Sequence, residues 1–185
     1  MARIHVVADR DADKPLKDAY AEVRRARGRV ANVFQVESAN PAVMRAHLGF
    51  YMAIMYGESG LSRQQREMIA TTVSATNRCT YCTTHHSEAL SKYLRDDEAV
   101  RAIKTDYATA AIGPRERAML DYAVKVTKTP AAVNEADTRR LRDAGFPDAD
   151  VLDITLVASY FNFVNRLVLS MGVELEQDTD RVYRY

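Results

Sequence analysis

Cysteine is almost absent from this chain: two residues in 185. A fold held at intervals by disulfides, as in small secreted scaffolds, is thereby excluded. Tryptophan is missing, and glycine and proline are sparse at 7 and 5. So few turn formers speak against many short strands and for long helices. Neither charge sign dominates, with 26 Lys and Arg against 25 Asp and Glu and a net charge of +1. A nucleic-acid binder driven by phosphate neutralisation is not expected from that balance. Long apolar runs are missing too. The longest stretches free of Asp, Glu, Lys and Arg, Ala46 to Gly57 and Ile154 to Asn165, are 12 residues each. A bilayer needs about 20, so no membrane association is expected. The opening MARIHVVADRDADK is interrupted by charge too soon for a signal peptide. A cytoplasmic location is the expectation, and thiols there are kept reduced.

What is present suits one globular domain with a real core: 47% hydrophobic and 28% charged residues. That domain is expected over residues 1–185, with 1–14 as an extended or mobile arm and 173–185 as a polar tail over a surface. Helix signals fill the interval. A helix from Pro15 ends at Gly28. The cap-and-proline pair Asn40-Pro41 starts one that runs to Tyr56. Ser62, with Gln65 at the capping-box position, starts one that runs to about Arg78. Further helices are predicted over Cys79–Leu94, Asp97–Thr105, Pro114–Thr129, Asn134–Ala144 and Ala149–Met171. No period-2 strand pattern appears. The fold class is all-α.

A faint repeat relates Leu61–Asn77 to Ile112–Lys128 at an offset of 51 residues, matching Arg66 to Arg117, Met68 to Met119, Val73 to Val124 and Thr76 to Thr127. The second copy lacks chemistry, with Ala118 at the place of Glu67 and Pro130 at that of Cys79. Arg24, Arg25, Arg27 and Arg29 cluster at a helix C-terminus. They form either an anion patch or a solvated end that suits the macrodipole, and the second reading is preferred because no aromatic residue interleaves them.

The two cysteines stand three apart, in Cys79-Thr80-Tyr81-Cys82. That spacing brings two sulfurs within disulfide range, and a helix start favours thiolate over thiol. On a helix, Cys79, Cys82 and His86 share one face, and His86 lies about 6 Å along the axis from Cys82. Cys79 is about 10.5 Å away from it, too far for a direct pair. His85 falls off the stripe. An imidazole near neutral pKa can take a proton from a thiol or return one to a leaving oxygen. Glu67, one helix earlier, shares its stripe with Ala70, Thr71, Ser74 and Arg78, small enough at its middle for another helix to approach. It either orients a histidine or is a solvated acid near a helix start. Zinc is the competing use of Cys79, Cys82, His86 and Glu67, although a structural zinc site draws a second Cys or His pair from elsewhere in the chain, and only His5 and His47 remain. A helical interaction module with a vestigial site is the other alternative without redox turnover. Ser159, Asn162, Asn165 and Arg166 form a polar stripe on the apolar last helix. They line a pocket or make a hydrogen-bonded seam between helices or subunits.

Glu67, Cys79, Cys82 and His86 together resemble the E-x11-C-x-x-C-x-x-x-H signature of the AhpD-like alkylhydroperoxidases, in the carboxymuconolactone decarboxylase superfamily. Asn32-Val33-Phe34, the Asn40-Pro41 helix, Gly60-Leu61-Ser62 and the segment from Asn165-Arg166 to Gly172 resemble its peroxidase-related branch. The resemblance covers about residues 15–172. It implies an AhpD-like helical bundle, a homo-oligomer (dimer, trimer or hexamer), and thiol-based reduction of hydroperoxides or disulfides. No cofactor or metal is implied. A hydroperoxide would be the substrate and a dithiol or thiol protein the electron donor. Cys82 would attack, Cys79 would resolve, and Glu67 and His86 would relay protons. The decarboxylase branch generally lacks the cysteine pair, which disfavours decarboxylation. Where characterised relatives often carry a histidine before the second cysteine this chain has Tyr81, a poor base near neutral pH. Weaker activity towards alkyl peroxides is the expectation.

Overall fold

The structure, a computed structural model, describes residues 2–177. Among them the chain forms α1 (Lys14–Arg27), α2 (Asn32–Gln35), α3 (Pro41–Tyr56), α4 (Arg63–Thr76), α5 (Thr80–Leu94), α6 (Asp97–Asp106), α7 (Pro114–Lys128), α8 (Glu135–Asp143) and α9 (Asp148–Met171). No strand occurs among the described residues. Every expected long helix is found, with ends displaced by one or two residues. The four-residue α2 has no counterpart among the expected elements, because so short a segment carries no readable period. The signals that start these helices act as anticipated. Asp13 caps α1 by accepting from the Leu16 amide, and Ser62 with Gln65 closes a full capping box on α4.

The chain packs as two compact units, residues 1–53 with 167–185 and residues 54–166. In the first, Leu16, Tyr20 and Val23 of α1 bury themselves against Phe34, Met44 and Leu48. The N-terminal arm includes a short 3-10 turn over Asp9–Asp11 and is held to the unit. Val7 receives a hydrogen bond from the Tyr20 hydroxyl at 2.7 Å and donates its amide to Ser38 at 3.0 Å. The arginine cluster is used singly and not as a patch. Arg24 pairs with Asp9 at 2.6 Å, and Arg27 is buried over the Tyr51 ring. Of the polar tail, the described part includes a buried Glu176 that accepts from the Asn32 amide at 2.9 Å. Residues 178–185 lie outside the described residues.

The second unit is built round α4, whose residues Gln65 through Ser74 are all buried. It packs against α5, α6 and α7. The repeat has a structural counterpart in this packing: Gln65 donates to Glu116 at 3.1 Å, and these two positions are the ones an offset of 51 equates. The part of α9 in this unit offers a wholly buried stripe of Ile154, Ala158, Phe161 and Asn165 at helical spacing. By length and composition α9 could cross a membrane, since an 18-residue stretch within it has a mean hydropathy of 1.3, although no charge-free run in the chain reaches that length. The core helix of a soluble protein passes the same test, and the buried stripe is what such a helix would show.

Ser62 satisfies an amide at the start of α4 that otherwise has no partner. Ser62→Ala is expected to cost about 1 kcal/mol and lower the thermal midpoint by roughly 2–4 °C, read by circular dichroism.

Candidate active site

The turn between α4 and α5 sets the first cysteine in place. The Cys79 amide donates back to the Ser74 carbonyl at 2.9 Å, and the Arg78 amide to that of Ala75 at 2.9 Å. This is the Schellman closure of a helix C-terminus, which needs a left-handed residue after the cap. Arg78 supplies it with φ 57°, where glycine is the usual occupant. The chain reverses at once, and Cys79 becomes the N-cap of α5.

Cys79 and Cys82 are both free thiols, 0% and 4% exposed. They lie in mutual hydrogen-bond contact. The Cys82 thiol lowers the pKa of Cys79, burial opposes it, and the N–H groups of Cys82 and Tyr81 at the start of α5 add to the lowering. They face the sulfur without closing a full side-chain cap. Cys82 moves the other way, pushed well up by its neighbour's sulfur and by burial. Removing one proton from the pair therefore leaves the negative charge on Cys79 and the remaining proton on Cys82.

Glu67 is wholly buried and stands between two cations or potential cations. Its Oε2 lies 2.7 Å from His86 Nδ1, and its Oε1 accepts from Arg63 Nη2 at 2.5 Å. Burial alone would raise its pKa; His86 and Arg63 together more than reverse this and leave it below 4.5. A carboxylate only accepts, so the hydrogen of the pair is on Nδ1. In the neutral ring Nε2 then keeps its lone pair. Phe161 meets the His86 ring edge-on at 4.5 Å and fixes its plane. His86 stands on α5 one helical turn after Cys82. Arg63 is clamped in its own right, over the Tyr56 ring at 3.8 Å and donating to the Met55 carbonyl at 2.6 Å.

The polar stripe of α9 forms a seam between helices, and one end of it reaches the sulfurs. Asn165 is wholly buried, donates to Ser74 of α4 at 3.1 Å, and hydrogen-bonds to both cysteines. Ser159 is exposed.

All four residues singled out in the sequence lie in this one unit, in two contacting pairs, Glu67 with His86 and Cys79 with Cys82. The solvated reading of Glu67 is overturned by its burial. Among the described residues no three His, Cys, Asp or Glu side chains gather closely enough to hold a metal. Tyr81 is buried with its ring against His85 at 4.5 Å. Two residues were missed. Arg63 was legible as an i,i+4 partner of Glu67. The reach of Asn165 to the cysteines, 83 positions or more away in sequence, carries no local signal.

Replacing Glu67 by Gln leaves Arg63 and His86 facing a neutral amide in a dry site. A loss of about 3 kcal/mol at neutral pH is expected. The folded carboxyl binds its proton less readily than the unfolded one, so its contribution is complete above about 4.5 and is lost as the pH falls. The gap between wild type and Glu67→Gln in urea unfolding should therefore narrow in acid.

The carboxymuconolactone decarboxylase family model matches residues 41–125. A crystal structure of an uncharacterised peroxidase-related protein with an alkylhydroperoxidase AhpD core, from Ralstonia eutropha JMP134, is 34% identical over 95% of this chain and 93% of its own, with a TM-score of 0.86. A peroxidase-related protein of Silicibacter sp. TM1040, also uncharacterised, is 32% identical over 94% of this chain and 92% of its own, with a TM-score of 0.83. The uncharacterised protein YdfG of Bacillus subtilis (strain 168) is 24% identical over 116 residues, 62% of this chain and 78% of its own. With its helical architecture, its paired thiols and these relatives, the chain belongs to the AhpD-like, peroxidase-related proteins of the carboxymuconolactone decarboxylase family.

Proposed function

We propose that the protein is a dithiol peroxidase, reducing hydroperoxides through Cys79 and Cys82. The observation that carries this reading is the buried cysteine pair, its two thiols shifted in opposite directions, one helical turn from a histidine held by a buried carboxylate. His86 Nε2 takes the proton of Cys82, and the Cys82 thiolate attacks the terminal oxygen of the peroxide. The O–O bond breaks, and the alkoxide leaves as the alcohol with the proton returned by His86. Cys82 is then a sulfenic acid. Cys79, the more readily ionised of the two thiols, gives its proton to solvent and attacks the Cys82 sulfur, and hydroxide departs, taking a solvent proton to become water. Two sulfurs are oxidised and the peroxide is reduced. A dithiol or thiol-protein donor in a reducing, cytoplasmic setting restores the pair by exchange.

This order of attack is supported by the nearness of His86 to Cys82 and by the slight exposure of that residue. The readier ionisation of Cys79 favours the reverse order, in which Cys79 attacks and His86 activates Cys82 as the resolving thiol. Both end in the same disulfide.

Stoichiometric peroxide should convert two free thiols into one intramolecular disulfide by mass spectrometry. Cys82→Ser should abolish turnover with a dithiol reductant, and Cys79→Ser should trap a sulfenic acid on Cys82. Turnover unchanged in Cys82→Ser would sink the proposal. A sulfenic acid forming on Cys79 in Cys82→Ser, at the wild-type rate, would reverse the order and leave the dithiol chemistry standing.

A further inference from the structure

Three asparagines next to the cysteines have amide orientations that can be worked out one from another. Ala158 offers a carbonyl, which only accepts, and it lies 3.0 Å from the Asn162 amide. That atom is therefore Nδ2. The opposite end of Asn162 receives Arg166 Nη1 at 2.9 Å, and a guanidinium only donates, so that end is Oδ1. Asn77 meets the same Oδ1 at 3.0 Å and must present its own Nδ2 there. The same Nδ2 of Asn77 donates to Asn165 at 3.0 Å, so the atom it meets is Asn165 Oδ1. The NH2 end of Asn165 is thus left facing Ser74, and it is the end with hydrogens to offer where this side chain meets the two cysteines. A flipped Asn165 would set two donors against each other in a dry interior.

We propose that Asn165 is a catalytic residue of the cysteine pair, the fixed donor that holds the pair's negative charge on whichever sulfur carries it. Cys79 has help from the amides at the start of α5, but Asn165 is a donor common to both sulfurs. Charge that passes between them meets the same N–H without any rearrangement, which is how a preorganised donor earns its effect in a water-excluded site. The contact lowers the pKa of both thiols against the burial that raises them. The chain of orientations runs from Arg166 and the α9 backbone to the sulfurs, so Asn162 and Asn77 act as positioning residues.

This deepens the dithiol reading, and its test needs no peroxide. The fully reduced protein is titrated by its ultraviolet thiolate absorbance, with circular dichroism confirming the fold. In Asn165→Ala the midpoint of the first ionisation should rise by about one pH unit, a tenfold smaller thiolate population at a given pH below it. Asn165→Asp, which replaces the donor by an acceptor with its own charge, should raise it further. Asn77→Ala, which frees the Asn165 amide to turn, should give a smaller rise in the same direction. A purely structural role would change the melting temperature and leave these midpoints in place. An unchanged midpoint in folded Asn165→Ala overturns the proposal; if that variant does not fold, an unchanged midpoint in Asn77→Ala does so. Raised midpoints in a protein that turns over no peroxide would retire the peroxidase reading and keep the donor.

Discussion

A carboxylate with no exposure to water is the constraint on which this site depends. Glu67 cannot remain ionised in the interior without partners, because burial by itself would neutralise it. It has two: a guanidinium on its own helix and an imidazole on the next. The Arg63 contact is local, one turn back along α4. The His86 contact is what ties α4 to α5 at a defined register. The small side chains of Ala70, Thr71 and Ser74 on the same stripe let α5 come close enough for that contact to form. One interaction therefore does two things: it aligns the helix that carries both cysteines, and it fixes which nitrogen of His86 is left to exchange a proton.

The cysteines gain their chemistry from a different source, the ends of helices. A Schellman turn ends α4 and places Cys79 where α5 begins, so that one sulfur faces N–H groups with no helical partner. The second sulfur is one turn inside the helix and lacks that help. Two identical side chains three residues apart are made unlike by a difference of one turn in position, and Cys79 becomes the readier of the two to ionise. Asn165 then joins the two sulfurs to a polar seam that runs out to Arg166, an electrostatic support brought by a helix distant in sequence.

The helices were legible because their punctuation is local. Pro15, Pro41, Ser62, Pro114 and Asn134 each sit at a start they were read to mark, and buried stripes such as Ile154, Ala158, Phe161 and Asn165 repeat at helical spacing. The short α2 was not legible, for want of a period. The N-terminal arm was read as extended, but its tethering was not visible, since the anchors of Val7 are Tyr20 and Ser38, well along the chain.

The sequence by itself determined the class of fold, the long helices to within one or two residues at their ends, and the four residues proposed to carry the chemistry, since all of these rest on spacing within a few turns. Tertiary structure alone decided that Glu67 is buried and not solvated, which of the two thiols ionises more readily, and that Asn165 belongs to a seam that reaches the cysteines. Those outcomes depend on solvent exclusion and on which atoms converge from separate helices. Neither has a signature in the local pattern of residues, because desolvation is a property of everything packed around a group.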